Sequence, residues 1–332
     1  MSLTNFPNGI KSFGVPVLGG MLPFTGSYFF VKPVSGLDGN DGLSPDSALK
    51  TLPVALAKCT ANKNDVVFFI SEGNSSANAT DYQSATLDWN KDHTHLIGIN
   101  AGPALSQRSR VAFISTYVTA SNLFTLSANG CFMANMAWYA GVADVNPTGC
   151  MSITGDRNRF QNCHIAGIGA DENDIAGAYS LKFTAGHANL FEGCVIGIDT
   201  VGRGSAANAE IYFASGSARN IFRKCLIQGW CASAGNYLFV SANAASAIDR
   251  FVLFDDCVFH NPATAIAGGA EMTQAFQIHA SANGHIILHN TTIIGAANVN
   301  ASDTGLVICG SGSIPNNAEV TDLGLALVTT NA

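Results

Sequence analysis

Charged side chains are scarce in this sequence, and their scarcity limits the partners it can have. Asp, Glu, Lys and Arg make up 12% of the 332 residues, about half the usual share in a soluble domain. The 16 basic residues are fewer than the 23 acidic ones, and a net charge of −7 argues against binding to the phosphates of DNA or RNA. We therefore expect no nucleic-acid partner.

Long apolar runs and a recognisable leader are also lacking. The apolar run 66–70 has the length of a strand and is far shorter than a membrane span of about 18 residues or more, so we expect no membrane partner. Pro7, Gly9, Lys11 and Gly14 interrupt the first residues, and we expect no secretory signal there. The nine cysteines contain no CxxC pair, which predicts reduced, buried thiols.

Motifs for nucleotide, nucleophile and metal chemistry are missing as well. The sequence contains no GxxxxGKS/T loop and no GxSxG turn. Asp38, Asn40 and Asp41 have the composition of a calcium loop, but Gly42 comes one position too early and no glutamate follows at the twelfth place. A tight turn is the better interpretation, and we expect no cofactor and no bound metal.

One short pattern returns along the chain and indicates a repeat protein. Its clearest copies are FQNCHIAG, FEGCVIG, FRKCLIQG and FDDCVFHN, with a period near 31 residues. Weaker copies begin at Phe132 and Leu288. The leading aromatic residues of the four clear copies are Phe160, Phe191, Phe222 and Phe254, and the cysteines in constant phase are Cys163, Cys194, Cys225 and Cys257.

The content of each unit predicts strands. Segments 181–184 and 190–196, for example, are rich in β-branched or aromatic residues and are separated by small or polar ones, and no unit contains a helical stripe. The residue before the Cys position is usually Asn, Asp or Gly, which tolerate the left-handed backbone of a sharp corner. The expected fold is all-β: a right-handed single-stranded parallel β-helix (a solenoid) of about six coils between Gly130 and Gly310, with a short N-terminal capping helix.

Coils that stack in register place equivalent residues over one another. Phe on Phe and Cys on Cys then form the core. Glu192, Arg223 and Asp255 point outward and are expected to form a ladder of opposite charges, with a functional charge cluster as the alternative. A ladder of hydrogen-bonded amides is predicted for three asparagines that share one phase, Asn158, Asn189 and Asn220, with ligand binding as the minor alternative.

The two ends of such a stack need covers. Residues 45–59 contain the only credible helix, with Ser44 as its N-cap and with Pro53 expected to kink or shorten it. The expected organisation is an extended arm, a cap with a helix, the β-helix, and a C-terminal cap or subunit contact, at residues 1–27, 28–64, 65–313 and 314–332.

The first 27 residues match neither the cap nor the coils. Prolines and glycines alternate there with isolated apolar side chains, and such a segment cannot form a core of its own. It lies in a groove of its own body or docks on another protein, and we favour docking. The side chains expected to make the contact are Phe6, Phe13, Val17, Leu18 and Phe24.

The opening TNFPNGIKSFGVPVLGG and the following YFFVKPVSGLDGNDGLSPDSALKTLPVALAKC resemble the start of bacteriophage virion proteins with a right-handed parallel β-helix of the pectate-lyase-like superfold. The resemblance covers roughly residues 4–73, and many β-helix proteins share the GNDGLSP element at 39–45. It implies a capsid decoration (cement) protein or a tailspike-like fibre, often trimeric. Fold analogy alone does not choose between these roles.

Loops between the strands contain candidate catalytic groups. A site that cleaves polysaccharides needs two carboxylates, or acidic calcium ligands with a basic proton abstractor. Such groups occur in two neighbouring loops, although solvated loop acids are the more frequent case: Asp171, Glu172, Asp174, Asp199, Arg203 and Glu210. Aromatic residues near strand ends could stack on sugars or, more commonly, pack under loops or between subunits: Trp138, Tyr139 and Trp230.

Together these features predict a structural virion protein without enzymatic activity on the surface of a phage particle assembled in the host cytoplasm. The preferred role is a homotrimeric decoration protein that bridges capsid subunits and whose arm binds the major capsid protein. The alternative is a tailspike-like protein that binds or depolymerises host polysaccharide through the loop acids.

Overall fold

The computed structural model describes residues 11–12, 15–16, 25–72, 80–100, 105, 109–114, 119–300 and 307–309. Within them the chain winds into a parallel β-helix in which successive coils add strands to three parallel sheets. This confirms the fold predicted from the sequence.

The three sheets run along the β-helix. The ten strands of the first sheet are β3 (Tyr28–Val31), β4 (Val66–Ile70), β7 (His95–Ile99), β10 (Phe132–Ala134), β13 (Arg159–Gln161), β16 (Leu190–Glu192), β20 (Asn220–Arg223), β24 (Arg250–Asp255), β27 (Gly284–His289) and β29 (Val307–Cys309). The eight strands of the second sheet are β5 (Thr80–Gln83), β8 (Arg110–Phe113), β11 (Ala137–Ala140), β14 (His164–Ile168), β17 (Val195–Ile196), β21 (Leu226–Gln228), β25 (Val258–His260) and β28 (Thr292–Ile294). The seven strands of the third sheet are β6 (Leu87–Trp89), β9 (Asn122–Leu126), β12 (Gly149–Ile153), β15 (Tyr179–Thr184), β19 (Asn208–Ser215), β23 (Tyr237–Ala242) and β26 (Phe276–Ile278). Two short pairs complete the strands: β1 (Lys11–Ser12) with β2 (Val15–Pro16), and β18 (Gly202–Arg203) with β22 (Trp230–Cys231).

The repeated phenylalanines form one stack inside the β-helix. Phe160, Phe191, Phe222 and Phe254 occupy paired positions in β13, β16, β20 and β24. Successive ring centroids are 4.5, 4.7 and 4.8 Å apart, with the ring planes inclined by 5°, 11° and 16°. All four side chains are fully buried. The period of the sequence is therefore the length of one coil.

The repeated cysteines point into the core at the start of the next side of each coil. Cys163, Cys194, Cys225 and Cys257 are at most 2% exposed, and the described cysteines whose side chains are placed are free thiols. Burial raises the pKa of the Cys163 and Cys225 thiols well above its usual value. Cys163 and Cys225 therefore stay protonated, and all four buried side chains pack as small apolar groups.

A left-handed residue forms the corner before each of these cysteines. The φ angle is 52° at Asn162, 61° at Gly193, 52° at Lys224 and 53° at Asp256. Lys224 is the exception, since it is not Gly, Asn or Asp. A residue of any other type in this conformation costs about 1–2 kcal/mol. The stacking of neighbouring coils imposes the corner on Lys224 against its local preference.

We expect Lys224→Asn to raise the free energy of unfolding by about 0.5–1 kcal/mol, because asparagine tolerates the left-handed backbone. Equilibrium unfolding in urea measures the change. Lys182→Asn, within strand β15, is the matched control and should not stabilise the protein. A Lys224→Asn variant that is no more stable than the wild type would contradict the corner conformation.

A ladder of asparagines runs along the corner at which each coil passes from the third sheet to the first. Asn158, Asn189 and Asn220 are at most 1% exposed. The Oδ1 atom of Asn189 accepts the backbone N–H of Asn158 at 2.9 Å, and Oδ1 of Asn220 accepts that of Asn189 at 2.9 Å. The Nδ2 atoms of Asn158 and Asn220 donate to carbonyls of the preceding coil. The ladder thus satisfies backbone groups that the bend leaves without a strand partner.

Charged side chains alternate on the outer face of the first sheet. Glu192, Arg223 and Asp255 stand at paired positions, as the period predicts. Arg223 Nε lies 2.9 Å from Asp255 Oδ2, but Glu192 forms its ion pair with Arg159 of the preceding coil, at 2.7 Å. Because both arginine side chains are more than a third exposed, each pair contributes only about 0–1 kcal/mol.

The short helix predicted within residues 45–59 is confirmed, and the segment is divided into two short helices. A 3-10 helix, Pro45–Ser47, is capped by Ser44 Oγ, which accepts the N–H of Ser47 at 3.2 Å. The α-helix α1 is Leu52–Lys58, with Pro53 in its first turn. Between them Asp38 Oδ1 accepts the N–H groups of Lys50 and Thr51 at 3.0 and 2.9 Å, and this contact draws the chain out of helical geometry. In the described part of the chain, no helix has the length and apolarity of a membrane span.

Candidate functional site

The acidic loop residues singled out from the sequence lie in different surroundings. Asp171 and Glu172 are exposed in a short 3-10 helix, Asp171–Asn173. Glu210 is fully buried, whereas Asp199 lines a surface pocket. An exposed, a buried and a pocket carboxylate cannot all touch one substrate, so the loop acids do not form a joint site.

Glu210 belongs to a buried polar cluster. Arg203 Nη1 donates to Glu210 Oε1 at 3.3 Å, and the hydroxyls of Ser180 and Tyr237 donate to the same carboxylate. Arg203 is 2% exposed, and its Nε atom lies 3.8 Å from Asp174 Oδ1. Burial raises the pKa of Glu210, and the Arg203 guanidinium opposes that rise. Glu210 is a structural residue that a polysaccharide cannot reach.

Asp199 lines a pocket on the outer face of the second sheet. The pocket has a volume of about 260 Å³. Its lining comes from four strands of that sheet, β8, β11, β14 and β21, together with the loop after β17 and Leu105. The side chains with polar or ionisable groups are Arg110, Tyr139, His164, Asp199, Thr200 and Gln228.

Hydrogen bonds and ring contacts hold these side chains in place. The carbonyl oxygen of Gly197 accepts from Nε2 of His164 at 3.1 Å and from Nε2 of Gln228 at 3.4 Å. Tyr139 donates its hydroxyl to a backbone carbonyl at 2.7 Å. Arg110 Cζ lies 5.3 Å from the centroid of the Tyr139 ring, an arrangement in which the ring attracts the guanidinium.

Gly197 connects the pocket to the buried cluster beneath it. Its φ angle is +86°, and a Cβ added there would lie 2.1 Å from the carbonyl oxygen of Gln228 and 2.4 Å from Oε2 of Glu210. A residue with a side chain would therefore clash and be strained. The carboxylate of Glu210 packs directly under the backbone that binds His164 and Gln228, so the buried cluster supports the floor of the pocket.

The imidazole of His164 is suited to accept a proton. Burial lowers its pKa below the ordinary 6.5; the nearby charge of Arg110 lowers it further, and that of Asp199 raises it. The side chain is 5% exposed. Nε2 carries the proton in the neutral form, because its partner is a carbonyl oxygen that can only accept. A neutral imidazole beside a carboxylate and a guanidinium is a candidate general base at pH 7.

A second pocket of about 480 Å³ extends the first one. The two pockets share Arg110 and Tyr139, and the second reaches Tyr82. Tyr82, Ala112 and Tyr139 are paired positions in β5, β8 and β11, so the two tyrosines stand two strand spacings apart, about 9.6 Å. We call the two pockets together, from Tyr82 to Gln228, the second-sheet groove.

The three aromatic residues noted in the sequence have different positions. Tyr139 lies in the second-sheet groove. Trp138, the residue before it, points the opposite way and is fully buried, with ring centroids 5.3 Å from Phe124 and 6.2 Å from Phe160. Trp230 is partly buried in β22. Only Tyr139 of the three is placed to meet a sugar in the groove.

Four residues of the groove are not among those predicted from the sequence: Tyr82, Arg110, His164 and Gln228. His164 follows Cys163 directly, so a search for polar residues just after the repeated cysteine would have found it. Ala137 is paired with His164 on one side and with Arg110 on the other, so Arg110 stands in the same row across the strands as His164. Only the strand register shows this. The coil of Arg110 lacks the Phe and Cys pattern, and the sequence gives no comparable signal for it.

Several expectations fall on parts of the chain that the structure does not describe. The predicted C-terminal cap or subunit contact, 314–332, is one of them, and the predicted arm contacts are the others: Phe6, Phe13, Val17, Leu18 and Phe24. Within the described residues, no group of three or more His, Cys, Asp or Glu side chains is placed to hold a metal ion.

Solved structures of other proteins share the fold. The sequence matches no protein-family model and no curated protein. The pectate lyase Pel9A is similar in structure, with a TM-score of 0.57 and 12% identity over 89% of this chain and 74% of that one. A pectin methylesterase variant in complex with a hexasaccharide has a TM-score of 0.54 and 12% identity over 91% of each chain. ORF18 of Geobacillus virus E2 has a TM-score of 0.47 and 12% identity over 87% of this chain and 62% of that one.

These comparisons correct one expectation. The sequence predicted a protein without enzymatic activity, and the solved structures that share the fold contradict it, because a pectate lyase and a pectin methylesterase are enzymes. At 12% identity the likeness establishes the fold alone. What this chain does therefore has to be argued from its own side chains.

Proposed function

We propose that the protein binds an acidic polysaccharide along the second-sheet groove and cleaves it by elimination. One observation carries the proposal: a guanidinium, a carboxylate and a neutral imidazole meet in one pocket beside two tyrosine rings. Enzymes named for pectate and pectin share the fold, which supports a polysaccharide as the substrate.

Binding would use the aromatic part of the groove. Tyr82, which is 45% exposed, and Tyr139 offer flat faces for sugar rings. Arg110 lines both pockets and supplies a positive charge for the carboxylate of an acidic sugar. A polysaccharide laid from β5 to β21 would cross five strand spacings, about 24 Å.

Cleavage would use the polar part of the groove. His164 accepts the proton on C5 of the acidic sugar, the electron pair left behind forms the C4–C5 double bond, and the linking oxygen leaves C4 with the electrons of the broken bond. Arg110 compensates the negative charge that grows on the sugar carboxylate. Asp199 stabilises the imidazolium, which then gives its proton to the leaving oxygen.

The test is incubation of the full chain with polygalacturonate, alginate and acidic bacterial capsular polysaccharides, followed by analysis of product ends. Each cut by elimination leaves one unsaturated end. We expect His164→Gln, which keeps a donor for the Gly197 carbonyl, to lower the rate about 100-fold. Because burial lowers the pKa of His164, activity should persist below pH 6.5 and fall only at more acidic pH.

The matched control is the double variant Asp171→Asn with Glu172→Gln. These two acids are exposed and lie outside the groove lining, so the control should cleave as fast as the wild type. Saturated reducing ends alone would indicate hydrolysis and contradict elimination. An unaltered rate in His164→Gln, no cleavage of any of the substrates, or loss of activity in the control would contradict the proposed site.

The protein would perform this reaction as a component of a phage particle. The resemblance of residues 4–73 to virion proteins supports that location, where removal of surface polysaccharide gives access to a host cell. In this proposal the arm, 1–27, attaches the protein to the particle and the β-helix presents the groove. The groove favours this tailspike-like role over capsid decoration, because decoration has no need of a pocket with proton-transferring groups.

A further inference from the structure

The outer face of the first sheet carries a row of aliphatic side chains. Leu190, Ile221, Leu253 and Ile287 occupy paired positions in β16, β20, β24 and β27. They alternate with buried core residues and are themselves partly exposed. A strand with one wet face normally has polar residues at such positions. A continuous apolar row at the surface instead marks a contact.

A row of charged and titratable side chains lies beside the aliphatic one. Glu192, Arg223, Asp255 and His289 are two residues further along the same strands and are also paired in register. The order is negative, positive, negative and then a histidine whose Nδ1 lies 2.7 Å from Asp255 Oδ1. We call these two rows of four residues the ladder face.

We propose that the ladder face binds the same face of a second copy of this chain in antiparallel orientation. A two-fold axis can bring a sheet face against itself in two ways. An axis along the β-helix places each coil opposite the same coil of the partner and reverses the strand direction. Each charged side chain then faces either its own equivalent in the partner or the partner's aliphatic row. An axis along the strands reverses the order of the coils, and each row then faces the equivalent row of the partner.

The antiparallel arrangement suits both rows at once. With the axis between β20 and β24, Ile221 meets the partner's Leu253 and Leu190 meets the partner's Ile287. On the same axis Arg223 meets the partner's Asp255, and Glu192 meets the partner's His289. The four members of the charged row are centred on this axis, which is the observation that selects this arrangement; the aliphatic row continues one strand further, to Ile308, which is paired with Ile287. Aliphatic side chains are then buried against each other, and Arg223 and Asp255 join opposite charges across the contact.

The size of the contact predicts a weak dimer. Six strands, from β13 to β29, overlap about the proposed axis. At about 4.8 Å per strand and about 10–20 Å along strands of three to six residues, the two copies would bury about 600–1,200 Å² in total, at or below the lower end for specific interfaces. The assembly closes after two copies, in contrast to the trimer that the N-terminal resemblance implies.

Sedimentation velocity of the full chain at increasing concentration tests the proposal. The wild type should show a monomer–dimer equilibrium. Ile221→Asp places a carboxylate against the partner's Leu253 and should weaken association at least about tenfold, while circular dichroism and thermal melting show an intact fold. Val258→Asp is the matched control, because Val258 is 38% exposed on the second sheet. It should associate as the wild type does.

A charge exchange tests the orientation. Arg223→Asp alone places like charges opposite each other and should weaken the dimer. Adding Asp255→Arg in the same chain restores opposite charges across the contact and should restore association. A monomer at all concentrations, a trimer, an Ile221→Asp variant that associates like the wild type, or a double variant as weak as Arg223→Asp would overturn the proposal.

Discussion

Replacing Phe191 by alanine is expected to lower the free energy of unfolding by about 3–5 kcal/mol. The ring is fully buried and stacks between Phe160 and Phe222, with centroids 4.5 and 4.7 Å away. Phe183 packs its ring edge-on against Phe191 at 5.9 Å. Loss of the ring leaves a cavity that neighbouring coils cannot fill, because their backbones are joined by strand pairing above and below.

Glu192→Ala is the matched control for this prediction, since it alters the next residue of the same strand. The Glu192 side chain is 32% exposed, and its pair with Arg159 should contribute less than about 1 kcal/mol. Urea unfolding of both variants measures the difference. Equal and small effects would show that the phenylalanine stack is not the core of the β-helix.

Replacing Arg203 by methionine is expected to cost about 3–5 kcal/mol at pH 7. The guanidinium is 2% exposed and faces the fully buried carboxylate of Glu210. Removal of the guanidinium leaves the carboxylate of Glu210 in the interior without a counter-ion. Burial already raises the pKa of Glu210, so in the variant Glu210 should fold as the neutral acid. Because its pKa in the folded state then exceeds that in the unfolded state, the variant should be least destabilised below about pH 4.5 and lose stability as the pH rises.

The double variant Arg203→Met with Glu210→Leu separates charge from packing. It removes both ions, so its stability at pH 7 should exceed that of Arg203→Met and should no longer depend on pH through Glu210. Thermal melting at pH 4.5 and pH 8 measures both effects. A single variant whose melting temperature does not fall between these pH values would contradict the role of Glu210 as a buried, ion-paired carboxylate.

The features that could be predicted from the sequence are those that every coil repeats. Phe191 and Cys194 meet the same surroundings as their equivalents one coil away, so selection of a residue type at a fixed spacing makes the stack visible. The same holds for Asn189, whose hydrogen bonds join equivalent positions. Lys224 adopts the corner conformation of its equivalents despite its residue type, which shows that stacking outweighs local preference here.

The features that could not be predicted depend on differences between coils. The second-sheet groove combines Tyr82, Arg110, His164 and Asp199, each from a different coil and none repeated by its neighbours. Glu210 resembles a solvated acid in the sequence, because its burial depends on Arg203, which belongs to the separate strand pair of β18 and β22. Such contacts join residues that are far apart in the sequence, so they produce no repeated pattern in it.

The position of a bound oligosaccharide is the most direct test of the second-sheet groove as a substrate site. Crystals of the His164→Gln variant grown with an acidic oligosaccharide would show where the substrate lies. We expect sugar rings over Tyr82 and Tyr139, a sugar carboxylate at Arg110 and a glycosidic linkage next to residue 164 and Asp199. An oligosaccharide bound to the outer face of the first or third sheet, with the second-sheet groove empty, would contradict it.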